Sequence, residues 1–358
     1  MTALARRSFL VAAAAASIVA PAVLRAQDRQ VWRMVTSWPK NLPGPGVSAE
    51  RIASRIASMS AGRLSVEVHA AGELVPALDV LEAVGSGVAH LGHTASFYWS
   101  GMMRASVFFT TVPFGLAPWE HAAWIEHGGG QALWDELYEP FGIKPFMGGN
   151  SGMHMGGWFK RQVTDLSDLR GMKFRIPGLG GDVMERLGAL PVVIAPAEIY
   201  PALRSGIVDG AEFLGPWSDR SLALQRVAPF YYWPSFTKPN GTGECLVNLD
   251  AWRALPDDIK AIVAHACQAE HAIAYFESEW ENAKALSHMV TEDQVELRRW
   301  PDAVLAAARG AAEEVLAEYE AMGDIEQRIY RSYRAARDQA EDWSAVSAQA
   351  FIEARRGA

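Results

Sequence analysis

A ten-residue pattern occurs twice in this chain and restricts it to an α/β fold. Leu81-Glu82-Ala83-Val84-Gly85-Ser86-Gly87-Val88-Ala89-His90 and Pro201-Ala202-Leu203-Arg204-Ser205-Gly206-Ile207-Val208-Asp209-Gly210 each read as a helix end, a Ser-Gly turn and a new strand. Strand and helix alternate around both copies. Val31 to Thr36 reads as a strand, and the proline-rich loop Pro39 to Gly46 breaks it. Ser48 is placed to cap a helix that keeps Ile52, Ile56 and Met59 on one face. Leu64, Val66 and Val68 alternate with polar residues as a strand does, a helix follows from about Pro76 to Val84, and Val88 to Gly92 is the next strand. The second round runs through strand Met172–Ile176, helix Gly181–Leu187, strand Pro191–Ile194, helix Ala197–Arg204 and strand Ile207–Leu214. Such alternation implies parallel pairing. Two rounds imply two lobes on one plan with a cleft between them, a common place for a small ligand.

Beyond Pro256 the pattern turns helical. Pro256 suits a first helical turn, and Asp257 and Asp258 favour the positive end of the helix. That helix is expected to run to about Met289, followed by a strand at Gln294–Trp300 and a helix at Asp302–Met322. The tail from Ile325 carries Ile329, Tyr333, Trp343, Val346 and Phe351 at amphipathic spacing. It needs a partner surface, either its own lobe or a second copy.

The start of the chain reads as an export leader. Arg6-Arg7 precede an apolar run from Val11 to Ala20, and Leu24-Arg25-Ala26 offers a cleavage site that leaves Gln27 as the new terminus. Residues 1–26 are therefore expected to be a twin-arginine signal peptide, and the mature protein periplasmic. Loss of Arg6, Arg7 and Arg25 takes the net charge from −8 to −11. A chain so acidic is a poor match for nucleic acid. Cys245 and Cys267 stand far apart in sequence without a CxxC pattern, and two buried free thiols are expected. The nine histidines form no close metal pattern.

Arg175 closes a strand just before the turn Pro177-Gly178, aimed where the cleft should lie. A guanidinium there is a planar fork suited to a carboxylate. Asn150 could donate an amide hydrogen bond to the same ligand. Aromatic residues at Tyr98, Trp99, Trp217, Tyr232, Trp233 and Phe236 could wall the pocket, with Trp38 from the opposite lobe.

Taken together, Phe97-Tyr98-Trp99, Val112-Pro113-Phe114-Gly115, Gly149-Asn150-Ser151-Gly152, Met155-Gly156-Gly157-Trp158-Phe159, the segment Gly171 to Gly180, Glu212-Phe213-Leu214-Gly215-Pro216-Trp217 and the tail from Ser332 to Arg355 resemble the solute receptors of tripartite ATP-independent periplasmic (TRAP) transporters. The 2-oxo acid receptors of the TakP type are the branch most resembled. The resemblance implies a two-lobed periplasmic-binding-protein-like α/β fold with a long connecting helix and an extra C-terminal helix. Lobe I would take 27–150 and about 240–285, lobe II 151–239 and about 286–324. The tail 325–358 would suit a dimer that swaps its C-terminal helix. The family's carboxylate-binding arginine falls on Arg175. The implied function is that of a substrate-binding subunit, with no catalysis, that carries a small 2-oxo or 2-hydroxy monocarboxylate to a membrane permease.

The family also holds a metal cation against the ligand, through a glutamine, a Glu-Trp pair and a later acid before a proline. The corresponding positions here are His154, Glu212-Phe213 and Lys238 before Pro239. A lysine in place of an acid would repel a cation by about 4 kcal/mol per unit charge at 4 Å and an effective dielectric of 20. The expectation is that no metal or other cofactor is bound. Lys238 would instead bond Glu212 and the ligand, with His154 donating to the same ligand. Were sodium or calcium held, its ligands would be Glu212, Phe213 and His154. A second reading is an exported hydrolase or lyase with Glu212 and His154 as base and acid, and a third is a sensor that shows its bound state to a signalling partner.

Overall fold

The computed structural model describes residues 29–357. The expected leader lies outside them. Among the described residues, eleven strands form two sheets. In the first, β1 (Gln30–Thr36), β2 (Leu64–His69) and β3 (Leu91–Thr94) are parallel in the order β2-β1-β3. In the second, β6 (Lys173–Arg175), β7 (Leu190–Val192) and β8 (Gly210–Ala211) are parallel in the order β7-β6-β8. The two copies of the sequence pattern are thus the last helix and strand of the same βαβαβ unit. In each, a glycine in the left-handed region ends the helix, Gly87 at φ 79° and Gly206 at φ 82°, where a side chain would be strained.

Further strands complete each sheet and tie the lobes together. β10 (Thr242–Asn248) and β4 (Ile143–Asn150) extend the first sheet beyond β3. β5 (Gly157–Phe159), β9 (Phe230–Trp233) and β11 (Glu296–Arg299) extend the second beyond β8. The chain crosses from β4 to β5 through 151–156 and returns from β9 to β10 through 234–241. The crossings are bonded together: Ser151 N–H donates to Gly241 O at 3.0 Å, and Gly156 N–H to Tyr232 O at 2.7 Å.

A 35-residue helix, Asp257–Thr291, runs alongside the end of β4 and the first crossing; at 1.5 Å per residue it is about 52 Å long. Its side chains bond the first crossing in sequence. His271 reaches Gly149 O, Ser278 donates to Asn150 O, Asn282 donates to Ser151 O, and Glu279 accepts from Met153 N–H. Deeper in lobe I, Arg51 and Arg55 converge on the buried Glu270 of the same helix. Among the described residues no helix is long and apolar enough to cross a membrane.

Several expectations shift. The first helix is Pro45–Met59, so Ser48 lies inside it and Pro45 takes the first turn, which proline's fixed φ suits. The strand expected at Ile207–Leu214 shrinks to Gly210–Ala211, because its neighbour β6 ends at Arg175 and offers no further ladder. From Glu212 onward the chain is free to turn toward the cleft. Cys245 and Cys267 are buried free thiols. In the tail, Ile329, Tyr330 and Tyr333 of helix Asp324–Ser344 are buried on lobe I, where Phe108 and Trp124 meet Tyr333 edge-on. Trp343, Val346 and Phe351 remain exposed.

Candidate functional site

In an open α/β sheet, the crevice beyond the carboxyl ends of the strands, where strand order reverses, is the natural ligand site. Both lobes have such a point, between β1 and β3 and between β6 and β8, and both contribute to one cavity. Trp38 follows β1. Ala95, Phe97 and Tyr98 follow β3. Arg175 ends β6, and Phe213 and Leu214 follow β8. The crossings supply Ser151, His154 and Lys238.

Arg175 is 1 % exposed. Its Nε donates to Ile194 O at 3.0 Å, Nη1 to Glu212 O at 2.7 Å and Nη2 to Tyr98 Oη at 3.4 Å. The Phe213 ring lies 5.7 Å from the guanidinium carbon. These partners fix the plane of the group without neutralising it. Three of its five N–H donors are engaged, which leaves two for a ligand.

Lys238 Nζ lies 2.8 Å from Glu212 Oε1, donates to Phe213 O and faces the Phe97 ring at 5.2 Å. The approach to Glu212 is an ion pair without hydrogen-bond alignment, so neither carboxylate oxygen receives a well-directed donor. Burial pushes the Glu212 carboxyl up to about 7, against the pull of Lys238. Burial also pushes the Lys238 ammonium below its usual range, against the pull of Glu212. Their mutual attraction opposes both shifts.

His154 Nε2 and Ser151 Oγ are 2.7 Å apart, and its buried Nδ1 has no partner. Burial first, then the nearby Lys238 charge, hold its pKa well below the ordinary value, so the ring is neutral. Trp38 Nε1 donates to His93 Nδ1 at 2.7 Å, so His93 Nε2 carries the proton and donates to Gly148 O at 2.8 Å.

Of the residues expected at the site, Arg175, His154, Asn150, Tyr98, Phe213 and Lys238 line the cavity, as does Trp38. Glu212 does not; it sits behind Lys238 with no exposed surface. Asn150 is present but committed, because its amide nitrogen donates to Asn240 Oδ1 and Thr242 Oγ1 and its oxygen accepts from Gly152 N–H. Trp99 points away. Its short 3-10 turn, Ser96–Trp99, sends Tyr98 to the cavity and Trp99 inward, where Nε1 donates to Glu244. Trp217 lines a separate surface groove with Pro43 and Arg220. Tyr232 bonds Val163 in the lobe II core, Trp233 is 42 % exposed, and Phe236 stacks on Phe114. Phe97, Ser48, Thr110 and Ser151 were not expected and line the cavity. Their signal in the sequence was position: Phe97 sits just beyond a strand end, and Ser151 three residues before His154.

The family model of the bacterial extracellular solute-binding proteins, family 7 (DctP), matches residues 36–322. The chain belongs to this family. Among the relatives of this DctP-family protein, a monocarboxylate 2-oxoacid-binding periplasmic protein of Nostoc sp. is 39 % identical over 88 % of this chain and 86 % of its own length. A TRAP transporter solute-binding protein of Bordetella bronchiseptica, a mixed-occupancy dimer with copurified calcium and picolinate in one site, is 32 % identical with a TM-score of 0.89, covering 91 % of this chain and 97 % of that one. A TRAP solute-binding protein of Pseudoalteromonas atlantica with bound sodium and pyruvate is 35 % identical with a TM-score of 0.88, covering 91 % and 99 %. The DctP-family fold of two mixed α/β sheets is common to them and to this chain.

Proposed function

We propose that this protein is the periplasmic substrate-binding subunit of a TRAP transporter, binding a small 2-oxo or 2-hydroxy monocarboxylate through Arg175 and passing it to a membrane permease. The observation that carries this reading is the environment of Arg175. A buried guanidinium bonded only to carbonyls and a hydroxyl lacks a counter-ion, and burial of such a charge is costly until an anion joins it. Charge balance supports one carboxylate rather than two. Arg175 and Lys238 carry two positive charges, Glu212 one negative, and a monocarboxylate supplies the second. A second ligand carboxylate would be buried unpaired. The aromatic walls from Trp38, Phe97, Tyr98 and Phe213 suit a short apolar or flat remainder.

A thermal-shift screen of small carboxylates tests the reading. Pyruvate or a close analogue at 100 times its Kd should add about 2.7 kcal/mol of stability and raise the midpoint by degrees, while dicarboxylates should not. The acid is expected to be recovered unchanged. Steady turnover would make the protein an enzyme instead. The geometry does not favour that, since Glu212 is turned from the cavity and paired with Lys238, so it forms no acid–base couple with His154.

Export by the twin-arginine route and a homodimer through the C-terminal helix belong to the same proposal. Arg6-Arg7 support the first. The exposed Trp343, Val346 and Phe351, with Phe276 and Trp280 equally bare on the long helix, support a second copy as the cover. Mass spectrometry and light scattering of exported protein should give a terminus at Gln27 and the mass of two chains. The double change W343E/F351E should give one. A monomeric wild type would remove the dimer from the proposal.

A further inference from the structure

The Bordetella neighbour has calcium and picolinate bound, and the Pseudoalteromonas neighbour sodium and pyruvate. The residues of this site do not fit such an ion. Two oxygens at the lobe II wall could face a cation, the Glu212 carboxylate and the Phe213 carbonyl, and Lys238 Nζ already bonds both. A metal ion at those oxygens would have to share their space with an ammonium of the same sign. Hard cations want six or more oxygen ligands, several of them anionic. The remaining nearby groups do not supply them: His154 offers a ring nitrogen, Asn150 has its oxygen committed to Gly152 N–H, and Arg175 is itself a cation. Among the described residues no group of three or more His, Cys, Asp or Glu side chains could hold a metal.

We propose that Lys238 is the resident cation of this site, so that its ammonium takes the part of a metal ion and ligand binding requires none. The inference rests on the reading of the site as a carboxylate receptor. An ammonium has three N–H donors. One is given to Phe213 O, and Glu212 is held as an ion pair without a directed bond, which leaves a donor for the cavity that Lys238 lines. Arg175, on β6, presents its two free donors to the same cavity. A ligand with an oxygen next to its carboxylate can accept from both cations, the carboxylate at Arg175 and the 2-oxygen at Lys238. This arrangement selects 2-oxo and 2-hydroxy acids over simple fatty acids of the same length. The lysine also sits on the crossing between lobes, with Glu212 on one side and the Phe97 ring of lobe I on the other. The recognising charge is therefore covalently part of the crossing and cannot be lost by dilution or chelation.

Calorimetry with pyruvate as the probe, on protein dialysed against EDTA in sodium-free choline buffer, tests this. The Kd is expected to stay within about twofold on adding calcium or sodium. Elemental analysis of the purified protein should find no stoichiometric metal. A loss of about tenfold or more on chelation, restored by either ion, would overturn the proposal, as would one equivalent of metal surviving dialysis. In K238M, pyruvate affinity should fall by about thirtyfold or more, to near that of propionate. Unchanged preference for pyruvate over propionate in a folded K238M would also overturn it. If K238M does not fold, the wild-type metal content and chelation results decide alone. Should no carboxylate bind the wild type, the receptor reading fails, while titration with calcium alone still decides whether the lysine excludes the ion.

Discussion

Arg175→Met is expected to weaken pyruvate binding by about a hundredfold or more, since removing one partner of a buried charge pair typically costs 2–5 kcal/mol. The bound carboxylate would keep Lys238 but lose the planar fork. R175K should recover only part of the loss, because an ammonium cannot supply two parallel donors. Calorimetry on folded R175M and R175K decides the matter. Affinity within threefold of wild type in either variant would remove Arg175 from the site.

A second large effect is expected from Glu244, a buried acid behind the cavity wall. It lies on β10 with no exposed surface, accepting from Trp99 Nε1 and from Tyr138 Oη at 3.0 Å. Burial pushes its carboxyl up to about 8, although both donors oppose the shift. The native state therefore holds this proton more tightly than the unfolded chain, where the ordinary value is 4.5. Its contribution is complete below pH 4.5 and is lost as pH rises through about 8. A shift of that size corresponds to roughly 5 kcal/mol over the window. E244Q mimics the protonated acid, so its stability relative to wild type should climb steadily across the same window. Denaturant melts at half-unit steps of pH would show this. Parallel curves for the two proteins would mean that Glu244 does not titrate there.

The lobes were legible because the hydrophobic pattern repeats. Each round of strand and helix must bury the same faces, and the sheets obey with identical strand order. Arg175 was legible for a related reason: a charged residue at the carboxyl end of a parallel strand has the crevice ahead of it. Side-chain direction within irregular stretches was not. Tyr98 and Trp99 are adjacent, and only the 3-10 geometry of Ser96–Trp99 sends one to the cavity and the other to Glu244. Trp217 is the second residue of helix Pro216–Ser221, and its N–H is tied to Asn282 on the long helix, away from the cavity, a contact between residues 65 apart. Asn150 is in place but saturated by Asn240 and Thr242, residues that join it only when β10 pairs with β4. Competition for a donor is a tertiary fact. The stacking of both crossings against each other, which sets Ser151 and His154 beside Lys238, is another.

The cavity is electrically lopsided. Every charged side chain that lines it, Arg175 and Lys238, comes from lobe II or the crossings, whereas Trp38, Ser48, Phe97, Tyr98 and Thr110 from lobe I are uncharged. Attraction over distance therefore belongs to one wall. The other wall can act only at contact, by excluding water and so strengthening the field already present. The two halves should leave different kinetic signatures. Added salt and the charged wall govern how fast an anion is captured, while both walls govern how long it stays. A transporter fed by this protein would thus have one wall, that of lobe I, where hand-over can be tuned with the long-range capture of the anion left unchanged.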